Sequence, residues 1–259
     1  MLFSLENEVA LVTGASRGIG KRLCVDLARA GYDVVCTARS SEQSPGRLPG
    51  TIEETARLVS EVGRRALPVA LDVRDEQAVA KLADRLYAEW GRCDLLVNNA
   101  ALAPPKPALQ DSTKRWRLGV DVNVNGPFYM VYYFAPRMIE AGEARVVNIS
   151  SGVSQMPEFG RAGYMTTKAA LEAMTRALAF DLSGKVAVNC IQLEVPVWTE
   201  GFAATLPEDT AAPFEDAVIM SDALLWFARQ PIDYTGKVLS IAELREMGVV
   251  RPFTPAKRD

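Results

Sequence analysis

The run Val9-Ala-Leu-Val12 passes directly into Thr13-Gly-Ala-Ser-Arg-Gly-Ile-Gly20, after which apolar residues recur at 19, 23, 27 and 30 until Gly31. A short apolar run that ends in glycines and gives way to a period of three to four residues reads as strand, tight turn and helix. The glycines let the backbone turn sharply and approach an anion held by the free N–H groups of the helix N-terminus. Residues 34–37, 66–71, 95–97, 146–149 and 186–191 read as further strands, with a short last one at 238–241. Helical patterns lie between them, notably Val79, Leu82, Ala83, Leu86, Tyr87 and Trp90, and a long helix at 163–182. Near-continuous apolar strands alternating with amphipathic helices predict an α/β fold, a doubly wound parallel sheet of Rossmann-like type with ligands at the carboxyl ends of its strands. No linker, repeat or composition shift divides the 259 residues, so a single domain over 1–259 is expected.

A net charge of −3 without a clustered basic excess argues against a nucleic-acid partner. No apolar run approaches the roughly 18 residues of a membrane-spanning helix. The first eight residues lack the positive flank and apolar stretch of a signal peptide, so no membrane partner and a cytoplasmic location are expected. Cys24, Cys36, Cys93 and Cys190 are dispersed without paired spacing, which reads as reduced core thiols and no metal site. The chain has no histidine, so acid–base chemistry falls to Tyr, Lys, Asp, Glu or Cys.

Gly163-Tyr-Met-Thr-Thr-Lys168 places a phenol and an ammonium one helical turn apart, with Tyr164 13 residues after Ser151. A phenol is a poor base near neutrality, and a neighbouring ammonium favours its phenolate. With the Gly-x-x-x-Gly-x-Gly turn, this order and spacing resemble the short-chain dehydrogenase/reductase family along nearly the whole chain. Leu48-Pro-Gly-Thr-Ile52, Ala66-Leu-Pro68, Asp72-Val-Arg-Asp-Glu76 and Ser112-Thr-Lys-Arg115 are similar to the dehydrogenase half of hydroxysteroid-dehydrogenase-like proteins.

The resemblance implies a catalytic set of Asn123, Ser151, Tyr164 and Lys168. Tyr164 would be the acid/base, Ser151 would hydrogen-bond the substrate oxygen, and Lys168 would hold the nicotinamide ribose while adjusting Tyr164. Asn123, three before the glycine in Asn123-Val-Asn-Gly126, would anchor a water of the proton relay. The implied cofactor set is Gly14, Ser16, Arg17, Gly18, Ile19 and Gly20 at the glycine turn, Asp72 and Val73 at the adenine, and Asn99 and Ala100 near the adenosine ribose. Tyr164, Lys168, Val197 and Thr199 complete it, with Thr199 toward the nicotinamide carboxamide. Where chains that prefer NAD carry an acid after the second strand, this one reads Thr37-Ala38-Arg39; Arg39 and Arg17 offer two guanidinium groups to a 2′-phosphate, which predicts NADP(H). The loop at 41–50 lies beside that place and is expected to close over the cofactor.

The family pattern breaks at Leu193-Glu194, where Pro-Gly is usual, and at Ala101, where glycine is usual; Thr199 falls one residue late. Glu194 is expected to turn to solvent or pair with a cation, outside the catalytic set. A substrate loop at 195–217 carries Trp198, Phe202, Leu206 and Phe214, and with Leu102, Met156 and Phe159 these predict an apolar pocket for a hydrophobic ketone, aldehyde or alcohol. The alternative is a catalytically weak NADP(H)-binding sensor or lipid-binding protein on the same fold. The resemblance further implies a homodimer or homotetramer through the long helices that carry Asn123 and Tyr164, the first of them bearing Phe128, Tyr129, Tyr132, Tyr133 and Phe134; residues 251–259 read as a Pro-containing, charged tail.

Overall fold

A computed structural model of the chain describes residues 8–103, 105–204 and 213–256. Among these, seven strands form one sheet: β1 (Val9–Thr13), β2 (Asp33–Ala38), β3 (Ala66–Ala70), β4 (Leu95–Asn98), β5 (Ala144–Ser151), β6 (Val186–Leu193) and β7 (Val238–Ser240). The helices are α1 (Gly18–Arg29), α2 (Ile52–Glu61), α3 (Glu76–Trp90), α4 (Thr113–Val120), α5 (Gly126–Ala141), α6 (Ala162–Asp181), α7 (Glu200–Ala203), α8 (Val218–Ala228) and α9 (Ile241–Glu246).

Strand order is β3-β2-β1-β4-β5-β6-β7 and every pairing is parallel. The period-2 alternation of a strand sends Ala10 and Val12 to the side covered by α1 and α8, and Val9 and Leu11 to the side covered by α3 and α5. All four are fully buried, which is why the strand reads as an unbroken apolar run. Strand order reverses between β1 and β4, and such a reversal opens a crevice at the carboxyl ends of the two strands.

β5 and β6 run further than their apolar cores predict, to Ser151 and Leu193, which pair in register. The polar residues at these ends continue the ladder because side chains elsewhere satisfy them: Asn148 Nδ2 donates to Thr175 Oγ1 at 2.8 Å and Ser150 Oγ to Glu172 Oε1 at 2.6 Å. At the far edge, Ile241 belongs to α9 rather than to β7, because Ser240 and Glu243 form a reciprocal capping box that starts the helix there. Thr51, Asp75 and Ser112 cap α2, α3 and α4 through side-chain oxygens, each contact worth about 1 kcal/mol.

All four cysteines are buried thiols, and burial pushes Cys190 up to about 12. Among the described residues no helix is long and apolar enough to cross a membrane, and no group of three or more acidic, cysteine or histidine side chains is placed to hold a metal. Phe128 and Tyr132, 43% and 59% exposed, lie along one face of α5 with ring centres 5.9 Å apart.

Candidate active site

The glycine turn closes against β4. Gly14 and Gly18 adopt φ of +70° and +54°, a region that side chains with a Cβ rarely enter. A Cβ on Gly20 would sit 2.2 Å from the Gly14 carbonyl oxygen, so only glycine lets α1 start this close to the turn. Asn99 locks the two strands across the crevice: its Nδ2 donates to the Thr13 carbonyl at 2.8 Å, while Thr13 Oγ1 accepts from the Asn99 and Ala100 amides at 3.0 and 3.1 Å. Gly14, Ser16, Gly18, Ile19, Gly20, Asn99 and Ala100 thus gather at the switch point, with Ser16 buried.

The arginines of the turn divide their work. Arg17 Nε donates to the Pro49 carbonyl at 2.8 Å and Nη2 to the Leu48 carbonyl at 2.9 Å and Ser40 Oγ at 3.0 Å. Gly50, at φ +100°, lets that loop pack so closely that a Cβ there would lie 2.4 Å from the Ser16 carbonyl oxygen. Arg17 therefore anchors the loop at 41–50 onto the glycine turn through its Nε and Nη2. Arg39 is exposed just after β2. Asp72 follows β3 and is held by Arg74, whose Nε and Nη2 donate to its carboxylate; these hydrogen bonds keep it below the usual carboxylate range. Val73 is buried against Gly126, where a Cβ would come within 2.8 Å of the valine methyl.

Tyr164 and Lys168 share a face of α6 that packs toward β5. Lys168 is buried; its Nζ donates to the Ile149 carbonyl at 2.6 Å and lies 5.6 Å from the centre of the Tyr164 ring. Ile149 is two residues from Ser151, whose Oγ accepts a long 3.5 Å bond from the Val153 amide and retains its own donor. Asn123 lies in a π-helical turn, Asp121–Asn125, between α4 and α5. Such a turn carries one extra residue and rotates side chains off the regular helical face. Asn123 is consequently buried and fully bonded: Oδ1 accepts from the Leu102 amide at 2.8 Å, and Nδ2 donates to the Leu102 carbonyl and to Thr167 Oγ1, both at 2.9 Å. Thr167 Oγ1 donates in turn to the Tyr164 carbonyl, so Asn123 is tied to the helical turn that presents the phenol.

Two carboxylates brace this region without lying in the predicted set. Glu172, one turn beyond Lys168, is buried and receives Ser150 Oγ and Ser154 Oγ at 2.6 Å and Gln192 Nε2 at 3.0 Å on one oxygen. It joins α6 to the strand ends on either side of Ser151 and Leu193. A run of polar residues on the buried side of α6, Thr167, Lys168, Glu172 and Thr175, was the signal for it. Glu194 is exposed, as expected, and its oxygens accept from the Ile241 and Ala242 amides at 3.0 and 2.5 Å rather than pairing with a cation. The carboxylate that replaces the family Pro-Gly thus caps α9, while its Cβ stands where a side chain on Gly152 would go.

Leu102, Lys106, Asp111, Arg115, Trp116, Gly119, Asn123, Gly160, Gly163 and Tyr164 line a pocket beside the phenol. Leu102 and Trp116 give it apolar walls, and the Arg115–Asp111 ion pair at 3.1 Å gives it a charged side. Phe214 is buried, with the ring centres of Trp198 and Phe202 5.2 and 5.7 Å away, and Trp198 also borders a hollow beside Gly18 and Glu200. Met156 and Phe159 are 73% and 90% exposed on the loop leading to α6. Leu206 and part of the predicted substrate loop, at 205–212, lie outside the described residues, as does the end of the tail. Val197 is buried, and Thr199 caps α7 by accepting from the Phe202 amide at 3.1 Å.

Residues 8–205 match the short chain dehydrogenase family. An uncharacterized oxidoreductase of Mycobacterium tuberculosis is 32% identical over 253 residues, covering 93% of this chain and 92% of that protein. Hydroxysteroid dehydrogenase-like protein 2 of Danio rerio is 26% identical over 244 residues; the match covers 93% of this chain but 59% of that protein, so the chain spans little more than half the length of this relative. The crystal structure of a metagenomic short-chain oxidoreductase in complex with NADP superposes with a TM-score of 0.76 at 28% identity, over 92% of this chain and 97% of that one.

Proposed function

We propose that this chain, which belongs to the short-chain dehydrogenase family, is an NADP(H)-dependent oxidoreductase that interconverts a ketone or aldehyde and an alcohol. The observation that carries this reading is the buried Lys168 ammonium, set 5.6 Å from the Tyr164 ring and anchored on the carbonyl of Ile149, two residues before Ser151.

The donors around the crevice fit a dinucleotide phosphate. Amides of the glycine turn at the start of α1 suit a diphosphate. The exposed Arg39 suits a 2′-phosphate, with Arg17 holding the neighbouring loop in place. Asp72 and Val73 would border the adenine, Asn99 and Ala100 the adenosine ribose, Lys168 the nicotinamide ribose, and Val197 and Thr199 the carboxamide. The NADP bound to the metagenomic relative supports the same choice of cofactor. When bound, the nicotinamide supplies or receives hydride.

The side chains handle the proton. Tyr164 gives its phenolic proton to the substrate oxygen in reduction and takes it back in oxidation. Lys168 stabilises the phenolate formed in the first case, because an adjacent positive charge favours the ionised form. The Ser151 hydroxyl bonds the same substrate oxygen and fixes its direction. Asn123 holds the Tyr164 turn through Thr167. Leu102 and Trp116 favour a substrate with an apolar body, and the exposed aromatic face of α5 supports self-association into a dimer or tetramer.

The test is separate titration of NADPH and NADH into the purified protein, followed by oxidation of the preferred cofactor across a panel of hydrophobic ketones and aldehydes. Tight NADPH binding with turnover is the expected result. Binding without turnover on any carbonyl would replace the enzyme reading with the sensor.

A further inference from the structure

The Gly18 amide, at the start of α1, donates to Glu200 Oε2 at 2.9 Å. α1 has no acid in its first turn, and Arg17 at its N-cap makes no side-chain cap. A helix of 12 residues presents partial positive charge at this end, and here a carboxylate from a distant segment meets it. The approach of that segment is fixed by Thr199, whose Oγ1 starts α7 and whose Cβ and Cγ2 would both lie 3.1 Å from a Cβ on Gly18. Residues 199 and 200 thus sit on the glycine turn itself. Lys21 and Arg22, which border the same hollow, do not neutralise Glu200: they hold Glu54 and Asp26 with Asp216.

We propose that Glu200 is an internal competitor for the diphosphate of the cofactor, holding the Gly18 N–H until the diphosphate takes it. The inference rests on the NADP(H) reading above. One N–H serves one strong acceptor, and two anions within reach of the same donor repel each other. Glu200 is exposed, so its carboxylate can leave into water without stranding a buried charge. The diphosphate gains the amide as Glu200 swings away, and cofactor affinity is set below what the glycine turn alone would give. Because Glu200 is the first residue of α7, the exchange also couples cofactor arrival to the seating of that short helix.

The experiment is calorimetric titration of wild type, Glu200→Gln and Glu200→Ala with NADPH and with adenosine 2′-monophosphate, which carries the 2′-phosphate but no diphosphate. Both variants should bind NADPH about two- to five-fold more tightly, the range set by one carboxylate at an exposed helix N-terminus. Adenosine 2′-monophosphate should bind all three proteins alike. Unchanged or weaker NADPH binding in both variants would overturn the proposal, as would an equal gain for adenosine 2′-monophosphate, which would make the effect one of general charge. If none of the three proteins binds NADPH, the cofactor reading itself falls and this inference with it.

Discussion

Lys168 holds its ammonium 5.6 Å from the centre of the Tyr164 ring while donating to the carbonyl of Ile149 at 2.6 Å. One buried cation therefore links the helix that carries the phenol to the strand that ends in Ser151. Tyr164→Phe removes only the hydroxyl, so turnover should fall to the background rate while NADPH affinity is retained. Steady-state rates and NADPH titration of the same preparation check this. Full activity in the variant would take Tyr164 out of the acid/base role.

Arg39 stands exposed after β2, whereas Arg17 is occupied by the carbonyls of residues 48 and 49. Arg39→Asp should raise the Kd for NADPH at least about ten-fold more than that for NADH, since it exchanges a charge-assisted bond for repulsion. Parallel titrations with the two cofactors decide it. An unchanged ratio would refute the assignment of Arg39 to the 2′-phosphate.

Glu172→Ala would leave Ser150, Ser154 and Gln192 without their shared acceptor inside the protein. Each stranded buried polar group costs about 1–3 kcal/mol, so a stability loss of about 2–4 kcal/mol is expected after partial re-pairing. Urea unfolding measures it. Glu172→Gln keeps an acceptor oxygen and should lose less; equal losses would show that the hydrogen bonds are not what the carboxylate contributes.

Glu194→Ala removes the acceptor for two amides at the start of α9. A loss of about 1 kcal/mol is expected, the usual value of a helix cap. Faster amide hydrogen exchange at Ile241 and Ala242 would place that loss at the helix start, and unaltered exchange there would contradict the capping role.

Burial pushes the Cys190 thiol up to about 12, and all four cysteines are buried. The reactive thiolate appears only as pH rises through that raised value, so at pH 8 about one thiol in 10,000 is ionised there. Native protein at pH 8 should leave a thiol-specific disulfide reagent unreacted over minutes, and protein in denaturant should react at all four sites. Rapid native modification of any cysteine would contradict its place in the core.

Much of the fold was legible because its signals are local. The apolar runs of β1, β2 and β4, the glycine turn, and the i,i+4 pair of Tyr164 and Lys168 reflect the repeat of a strand or a helix, which neighbouring residues set by themselves. The true ends of β5 and β6 were not legible. Ser150 and Gln192 look like the polar residues that terminate strands, and only Glu172 on α6 makes them tolerable inside the sheet. The same reason hid the role of Arg17, which is spent on loop carbonyls more than thirty residues away.

The amino-acid sequence alone determined the alternation of buried strands and amphipathic helices, and with it a parallel sheet whose candidate site residues gather at the carboxyl ends of the strands. It also specified the chemical groups: a phenol, an ammonium, a serine hydroxyl and a glycine turn. The tertiary structure alone decided which carboxylate meets which donor, placing Glu172 under Ser150, Glu194 on α9 and Glu200 on Gly18. Backbone periodicity is a property of adjacent residues, whereas a hydrogen-bond partner is chosen by the strand order that brings remote segments to one edge of the sheet.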